Sequence, residues 1–241
     1  MSSAITVSGL RKTYGSFVAV DDVDLQVESG EVFAFLGPNG AGKTTTIDIL
    51  TGAQRRTSGT VSVLGRDPQN DEREWRAQVG VVPQGTAKYS DLTVREIIDH
   101  FASFYPDPFP TGQLIDMVGL GAKAKVLSTK LSGGQRRRLD VAVGVVGRPR
   151  LLFLDEPTTG LDPEARREAW ELVRLLTGTG MTTVLTTHYL DEAQELSQRA
   201  GIIVRGRIMH VGTLGELARL TGRRYRVSYD LDPLVEVPLS L

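Results

Sequence analysis

Residues 37–44 read GPNGAGKT and directly follow the apolar run VFAFL at residues 32–36. The string fits the pattern G-x-x-x-x-G-K-[ST], in which glycines let backbone N–H groups turn inward around the β- and γ-phosphates of a nucleotide. The following helix adds the positive end of its dipole, Lys43 adds a compact cation, and the Thr44 hydroxyl is a ligand for Mg²⁺. This order of strand, loop and helix predicts a phosphate-binding loop, whereas a glycine-rich turn without nucleotide is the alternative. The predicted nucleotide contacts are Gly37, Pro38, Asn39, Gly40, Ala41, Gly42, Lys43, Thr44 and Thr45.

The second informative string is LLFLDEP at residues 151–157. Four apolar residues before two carboxylates are typical of a fully buried parallel strand, and the carboxyl ends of such strands line the ligand crevice. Asp155 is then placed to hold Mg²⁺ through water, and Glu156 is the candidate general base for an attacking water. A strand that ends in a solvated acidic turn would show the same letters, but the phosphate loop favours the nucleotide site.

A second helix start that favours anions is predicted at LSGGQ, residues 131–135. Ser132 is a good N-cap, and Gly133 and Gly134 leave their N–H groups bare. Taken alone, the string is also consistent with a flexible loop followed by an N-cap. The arginines at 136–138 are interpreted as a solvated basic face, with a contact to phosphate or membrane as the alternative.

The remaining pattern places these motifs in a layered fold. Alternating apolar residues between Ile5 and Val27 predict half-buried antiparallel strands, with turns at Gly15 and at Asp21-Asp22. Strands then alternate with helices, except between about residues 85 and 147, where a helical stripe opened by a Thr93/Glu96 capping box predicts a helical insert. The predicted class is α/β: a P-loop NTPase core with a mostly parallel sheet, an N-terminal antiparallel β subdomain and an inserted helical subdomain.

The composition is that of an ordinary globular protein and excludes several kinds of site. The 241 residues carry a net charge of -1, are 24% charged and 40% hydrophobic, and include no cysteine. Without cysteine there is no disulfide framework, thiol catalysis or thiolate-bound zinc, and the three histidines are too scattered to suggest a metal site. The near-neutral charge argues against a chain that coats DNA. No apolar run approaches the ~18 residues of a membrane helix, and the start has no signal-peptide pattern, so we expect a cytoplasmic location.

Together, the motifs resemble those of the nucleotide-binding subunit of ATP-binding cassette (ABC) transporters. The family's strings occur in its order and approximate spacing: GPNGAGKT, VVPQ at 81–84, LSGGQ, LLFLDEP, TGLD at 159–162 and TTH at 186–188. The resemblance covers about residues 4–220. It implies an ABC ATPase domain over residues 1–221, whereas the role of a C-terminal tail at residues 222–241 is unknown.

The resemblance also implies roles for single residues. Gln84 resembles the lid glutamine that touches Mg²⁺ and the attacking water, and His188 resembles the switch histidine that contacts the γ-phosphate. Asp162 resembles the loop aspartate that signals between protomers, although before Pro163 it is also a helix cap. Tyr14 resembles the aromatic residue on which adenine stacks, although alone it would be read as core or turn. The resulting set is catalytic Glu156, His188 and Gln84; ATP-binding Tyr14, residues 37–45, Ser132, Gly133, Gly134, Gln135 and Asp162; and metal-binding Thr44, Gln84 and Asp155.

Within the family, the strings LSGGQRRRLD, DEPTTGLDP and TTHYLDEAQEL look most like ATPase subunits of ABC-2-type exporters, including bacterial drug-resistance exporters. The resemblance implies ATP and Mg²⁺ as cofactors, a homodimer or a paired ABC subunit, and a separate transmembrane permease at the cytoplasmic face of the membrane. No nucleic acid partner is expected.

An ABC-type ATPase that acts on ribosomes or nucleic acid is the alternative. Such relatives carry tandem cassettes or long coiled-coil inserts, whereas here only about 47 residues separate Gln84 from Leu131. A nucleotide kinase or a GTPase is a further alternative, but neither has a use for LSGGQ.

Overall fold

The computed structural model describes residues 3–70, 73–85, 89, 91–178 and 180–220. The predicted C-terminal tail at 222–241 lies outside these ranges. The strands are β1 (Ser3–Tyr14), β2 (Phe17–Glu28), β3 (Val32–Leu36), β4 (Ser58–Val63), β5 (Val79–Val82), β6 (Leu151–Asp155), β7 (Thr182–Thr187), β8 (Arg199–Val204) and β9 (Arg207–Thr213). The helices are α1 (Lys43–Leu50), α2 (Arg73–Arg76), α3 (Val94–Ala102), α4 (Thr111–Met117), α5 (Gly133–Val145), α6 (Pro163–Thr177), α7 (Leu190–Leu196) and α8 (Leu214–Leu220).

The larger sheet is mostly parallel, and this confirms the predicted fold class. Its strands lie in the order β5-β6-β7-β3-β8-β9. Every neighbouring pair is parallel except β8 and β9, which form the hairpin that turns at Arg205-Gly206. Strands β3, β6 and β7 are buried at every position. Their continuous apolar or β-branched runs reflect this burial on both faces.

Two apolar clusters cover the two faces of this sheet, and successive residues of one strand alternate between them. Phe33 and Phe35 pack with the N-terminal strands, whereas Val32 and Ala34 pack with the helices. The Trp75 indole is fully buried in the first cluster and donates to the Val63 carbonyl at 2.9 Å. The parallel sheet is therefore the fixed central layer from which the loops of the site extend.

The smaller sheet is antiparallel, with strand order β2-β1-β4. The prediction of N-terminal antiparallel strands is confirmed, and the chain turns between Tyr14 and Phe17 around Gly15. The predicted turn at Asp21-Asp22 is wrong, because both residues lie inside β2. There the pairing with β1 is irregular and Asp22 adopts a φ of 54°. Two adjacent acidic residues are frequent at both turns and bulges, so their letters do not separate the two cases.

The helical insert begins with the predicted capping box. The Thr93 hydroxyl accepts from the Glu96 amide and the Glu96 carboxylate accepts from the Thr93 amide. Helices α3, α4 and α5 follow, and their apolar faces join the cluster on the helical side of the large sheet. Within the described ranges, none of the helices has the length and apolar character that crossing a bilayer requires.

Candidate functional site

Four neighbouring parallel strands lead into the predicted catalytic residues and the phosphate loop at one edge of the sheet. Gln84 follows β5, Glu156 follows β6, His188 follows β7 and the loop at 37–42 follows β3. Because the carboxyl ends of parallel strands meet at the same edge, residues distant in sequence come together here. This edge is the crevice in which open α/β sheets bind their ligands.

The phosphate loop leads into α1 through glycines that the backbone requires. Gly42 has a φ of 103° and occupies the N-cap of α1, where no side chain caps the helix. A Cβ at Gly37 would lie 2.3 Å from the carbonyl oxygen of Ile203, so only glycine fits there. The first N–H groups of the helix therefore point into the loop, as anion binding requires.

Lys43 is buried beneath this loop. Its ammonium donates to the carbonyl oxygens of Gly37 at 2.8 Å and Pro38 at 3.2 Å, and it lies 3.4 Å from Glu156 Oε1. The side chain is only 4% exposed, so its charge acts with little screening from solvent.

The carboxylate of Glu156 is the point where the parts of the site meet. Gln84 Nε2 donates to Glu156 Oε2 at 2.9 Å, and the Thr159 hydroxyl donates to the same oxygen at 3.0 Å. On the other oxygen, His188 Nδ1 lies 3.5 Å from Oε1. One carboxylate thus joins the three predicted catalytic residues and the phosphate-loop lysine.

The environment keeps Glu156 ionised. Burial raises the pKa of this carboxyl, but the Thr159 hydrogen bond and the charges of Lys43 and His188 lower it, and the net pKa lies below its ordinary value. The backbone of Glu156 has a φ of 46°, which lies in the left-handed region that residues other than glycine rarely adopt. The Glu156 amide donates to Thr186 Oγ1 at 2.9 Å and thereby holds this conformation.

Asp155 and Thr44 bring two oxygen atoms together at the start of α1. The Thr44 hydroxyl donates to Asp155 Oδ2 at 3.0 Å, and the Thr186 hydroxyl donates to Asp155 Oδ1. A hydroxyl and a carboxylate oxygen beside a phosphate-binding loop suit Mg²⁺, which takes few protein ligands and completes its shell with phosphate and water. Gln84, the third predicted metal ligand, contacts Glu156 through its amide nitrogen.

Residues 132–135 of the LSGGQ string lie at the start of α5 and line an open cavity. Ser132 caps α5 and forms a capping box with Gln135. An open cavity of about 490 Å³ is bounded by residues 132–135, by Asp162 and by several neighbours, and none of Gly37–Thr44 lines it. Within one chain, the structure thus does not bring the two predicted anion-binding ends into one cavity.

Asp162 and Tyr14 occupy positions that fit their simpler interpretations. Asp162 Oδ1 accepts from the amides of Glu164 at 3.0 Å and Ala165 at 2.9 Å, so it is the N-cap of α6. Tyr14 ends β1 with 48% of its surface exposed, and the Lys12 ammonium lies 4.7 Å from its ring centre. An exposed ring at this point leaves one face available for stacking.

The interpretation of Arg136–138 as a solvated basic face is wrong for the middle residue. Arg137 is only 5% exposed, and its guanidinium donates to the backbone carbonyls of Pro83, Asp155 and Pro157. Arg138 instead pairs with Glu168 at the surface. A run of like charges does not reveal which member turns inward, because that depends on how the helix packs.

Sequence reasoning also passed over Thr159 and Thr186 as site residues. Both donate to the carboxylates of the site, Thr159 to Glu156 and Thr186 to Asp155. A signal for Thr186 exists in the sequence, since β7 carries buried threonines whose hydroxyls require partners.

Comparison with known proteins identifies relatives over most of the chain. The family model described as ABC transporter matches residues 20–159. The daunorubicin/doxorubicin resistance ATP-binding protein DrrA of Streptomyces peucetius is 44% identical over 225 residues, covering 91% of this chain and 68% of the relative. The Nod factor export ATP-binding protein I of Ralstonia nicotianae is 40% identical, covering 88% of this chain and 68% of the relative.

Solved structures agree with the fold. An ATP-binding subunit of an ABC transporter superposes with a TM-score of 0.80 at 26% identity, over 91% of this chain and 93% of the other. A dimeric ATP-binding cassette in a post-hydrolysis state, bound to ADP and Pi, superposes with a TM-score of 0.77 at 24% identity, over 87% of this chain and 98% of the other. The latter likeness concerns the fold alone.

Proposed function

This chain belongs to the ABC transporter family as an ATP-binding, ATP-hydrolysing subunit, and from that premise we propose that it powers an exporter through a separate membrane partner. The observation that carries the hydrolytic part is the meeting of Lys43, Gln84 and His188 at the Glu156 carboxylate. An ionised carboxylate at the end of a buried strand, beside a phosphate-binding loop, is placed to take a proton from a water that attacks the γ-phosphate.

The other residues of the site divide the remaining tasks. The loop at 37–42 and the first turn of α1 hold the phosphates through backbone N–H groups, and Lys43 neutralises their charge. Gln84 and His188 orient the water and the γ-phosphate on either side of Glu156. Tyr14 stacks on the adenine ring.

Thr44, Asp155 and Gln84 are the proposed residues for Mg²⁺, and the contact between the Thr44 hydroxyl and Asp155 Oδ2 supports that assignment. A bound Mg²⁺ would neutralise charge on the β- and γ-phosphates. Asp155 is held in place from its other oxygen by Thr186. Asp48 lies in the last turn of α1. Burial and the nearby charge of Asp155 raise the pKa of its carboxyl, so negative charge is concentrated around Asp155.

Two copies of the chain are proposed to enclose ATP between them. The Ser132–Gln135 end of α5 lines a cavity that contains no phosphate-loop residue of the same chain. A two-fold symmetric dimer places this end of one copy opposite the loop of the other, twice. Closure then completes each site, and hydrolysis releases it.

The names of the relatives suggest a class of cargo and a kind of membrane partner. Two of these relatives carry drug-resistance and Nod factor export in their names. We infer export of a small organic molecule through a transmembrane permease, with this subunit on the cytoplasmic face of the membrane.

Phosphate release from Mg-ATP by the purified chain tests the hydrolytic assignment. Glu156→Gln keeps the shape of the side chain and removes the base, so we expect ATP binding to persist and kcat to fall by about 10²- to 10⁴-fold. Glu171→Gln, at an exposed carboxylate of α6, is the matched control and should retain wild-type turnover. Wild-type turnover in Glu156→Gln would contradict the role of Glu156.

A further inference from the structure

Arg137 is a buried cation that the proposed mechanism does not use. Its Nε donates to the Pro157 carbonyl at 2.8 Å, one terminal nitrogen to the Pro83 carbonyl at 2.6 Å and the other to the Asp155 carbonyl at 3.2 Å. All three acceptors are backbone atoms at the carboxyl ends of two strands: Pro83 directly follows β5, Asp155 is the last residue of β6, and Pro157 lies two residues beyond it. Burying a guanidinium costs free energy unless its N–H groups are hydrogen-bonded, and these three bonds offset that cost.

The three carbonyls adjoin the two residues that contact each other at the centre of the site. Pro83 directly precedes Gln84, and Asp155 and Pro157 directly flank Glu156. The guanidinium therefore holds the peptide group that directly precedes Glu156 and the one that follows Pro157, and the left-handed φ of 46° at Glu156 needs such support from its surroundings. The same cation fixes the loop from which Gln84 reaches Glu156 Oε2.

Arginine is the side chain that suits this arrangement. Its planar guanidinium presents donors in several fixed directions, whereas the lysine ammonium is a compact point charge on a flexible stem. Burial lowers the pKa of Arg137, and the nearby carboxylates of Asp140, Asp155 and Glu192 oppose that effect. The charge is therefore balanced by neighbours.

Arg137 also connects these loops to the LSGGQ helix. It lies one turn after Gly133, the first residue of α5, and Ser132 caps the same helix. A displacement of this helix end would therefore shift Arg137 relative to the carbonyls beside Gln84 and Glu156.

We propose that Arg137 is a positioning residue that sets the geometry of Glu156 and Gln84 and thereby couples ATP hydrolysis, but not ATP binding, to the position of α5. The inference rests on the proposed hydrolytic function. It adds a link within one chain between the LSGGQ helix and the base.

The test compares Arg137→Gln and Arg137→Lys with wild type. Because misplacing a reacting group by about 1 Å costs on the order of 10²-fold, we expect kcat of Arg137→Gln to fall by about 10- to 100-fold. The Kd for ATP, measured by calorimetry, should stay within about twofold, since the phosphate loop is intact. Arg137→Lys retains the charge and one or two of the hydrogen bonds, so its kcat should lie between that of wild type and that of Arg137→Gln.

The split between kcat and Kd separates positioning from a general loss of structure. A loosened fold would weaken ATP binding as well as turnover, whereas a displaced Glu156 lowers kcat alone. Partial recovery of kcat in Arg137→Lys is the second readout, since lysine keeps the charge and some of the hydrogen bonds. Arg174→Gln, which removes a surface arginine paired with Glu195, is the matched control and should leave turnover and affinity unchanged.

The outcomes are distinguishable. A wild-type kcat in Arg137→Gln would overturn the inference, as would a parallel loss of ATP affinity and kcat. If Arg137→Gln does not fold, as judged by its melting transition, Arg137→Lys decides: a reduced kcat at unchanged Kd supports the inference and a wild-type kcat overturns it. Wild-type protein that binds ATP without hydrolysing it would contradict the proposed function itself.

Discussion

At the scale of single residues, the Glu156 carboxylate is the proposed centre of the chemistry, because its neighbours set its charge and direction. The sequence identified Glu156, Gln84 and His188 through their motifs, and the structure brings all three together. It did not identify Thr159 or Arg137, since their importance arises from contacts between segments far apart in the chain.

Thr159 supplies a prediction at this scale. Its hydroxyl lowers the pKa of Glu156, so hydrolysis in the wild type should persist as the pH falls until Glu156 is protonated below its ordinary range. In Thr159→Val the donor is lost, the Glu156 pKa rises, and the acidic limb of kcat should move to higher pH. Phosphate release between about pH 4 and pH 8 measures this shift.

Thr177→Val serves as the control for Thr159→Val, because the Thr177 hydroxyl bonds only to the Arg174 carbonyl at the end of α6 among the contacts described. Thr177→Val should leave the pH dependence of kcat unchanged. Coincident acidic limbs for Thr159→Val and wild type would show that Thr159 does not govern the ionisation of Glu156.

At the scale of helices and strands, elements with a strong physical signal were predictable. The strands β3 and β6 start and end at or within one residue of the apolar runs at 32–36 and 151–154, since each is a compact run bounded by clear breakers. The capping boxes at Thr93 and Ser132 mark the starts of α3 and α5. The irregular pairing around Asp22 was not predictable, because it depends on the register between β1 and β2.

The capping box of the helical insert supplies a prediction at this scale. Thr93→Ala removes the hydroxyl that accepts from the Glu96 amide, so we expect the free energy of unfolding to fall by about 1 kcal/mol. Urea denaturation with an unchanged m-value measures this loss. ATP affinity should not change, since α3 supplies none of the proposed nucleotide contacts.

The helix end of α6 offers a comparison for Thr93→Ala. Thr177→Ala removes a hydroxyl that bonds to the Arg174 carbonyl and does not cap a helix N-terminus, so it should cost less. Equal stability of Thr93→Ala and wild type would show that the capping box adds nothing to the stability of the insert.

At the scale of the whole molecule, one chain supplies two predicted anion-binding helix ends, and none of Gly37–Thr44 lines the cavity that Ser132–Gln135 border. The phosphate loop opens at the edge of the parallel sheet, while Ser132–Gln135 borders the cavity beside Asp162. The order of the motifs predicted both helix ends. It does not tell whether the Ser132–Gln135 end contacts a nucleotide bound to its own chain or to a second copy. In the proposed two-fold dimer, the Ser132–Gln135 end of each copy lies opposite the phosphate loop of the other copy, so the same pairing occurs twice.

The most direct test of this account mixes two inactive variants. Lys43→Ala removes the cation of the phosphate loop, and Ser132→Arg blocks the LSGGQ helix end, so each variant alone should release almost no phosphate. Random pairing of equal amounts restores one complete site in half of the dimers, and we expect about a quarter of wild-type turnover to return. Turnover that stays at the level of the separate variants, with both shown to be folded, would contradict a nucleotide site shared between two copies.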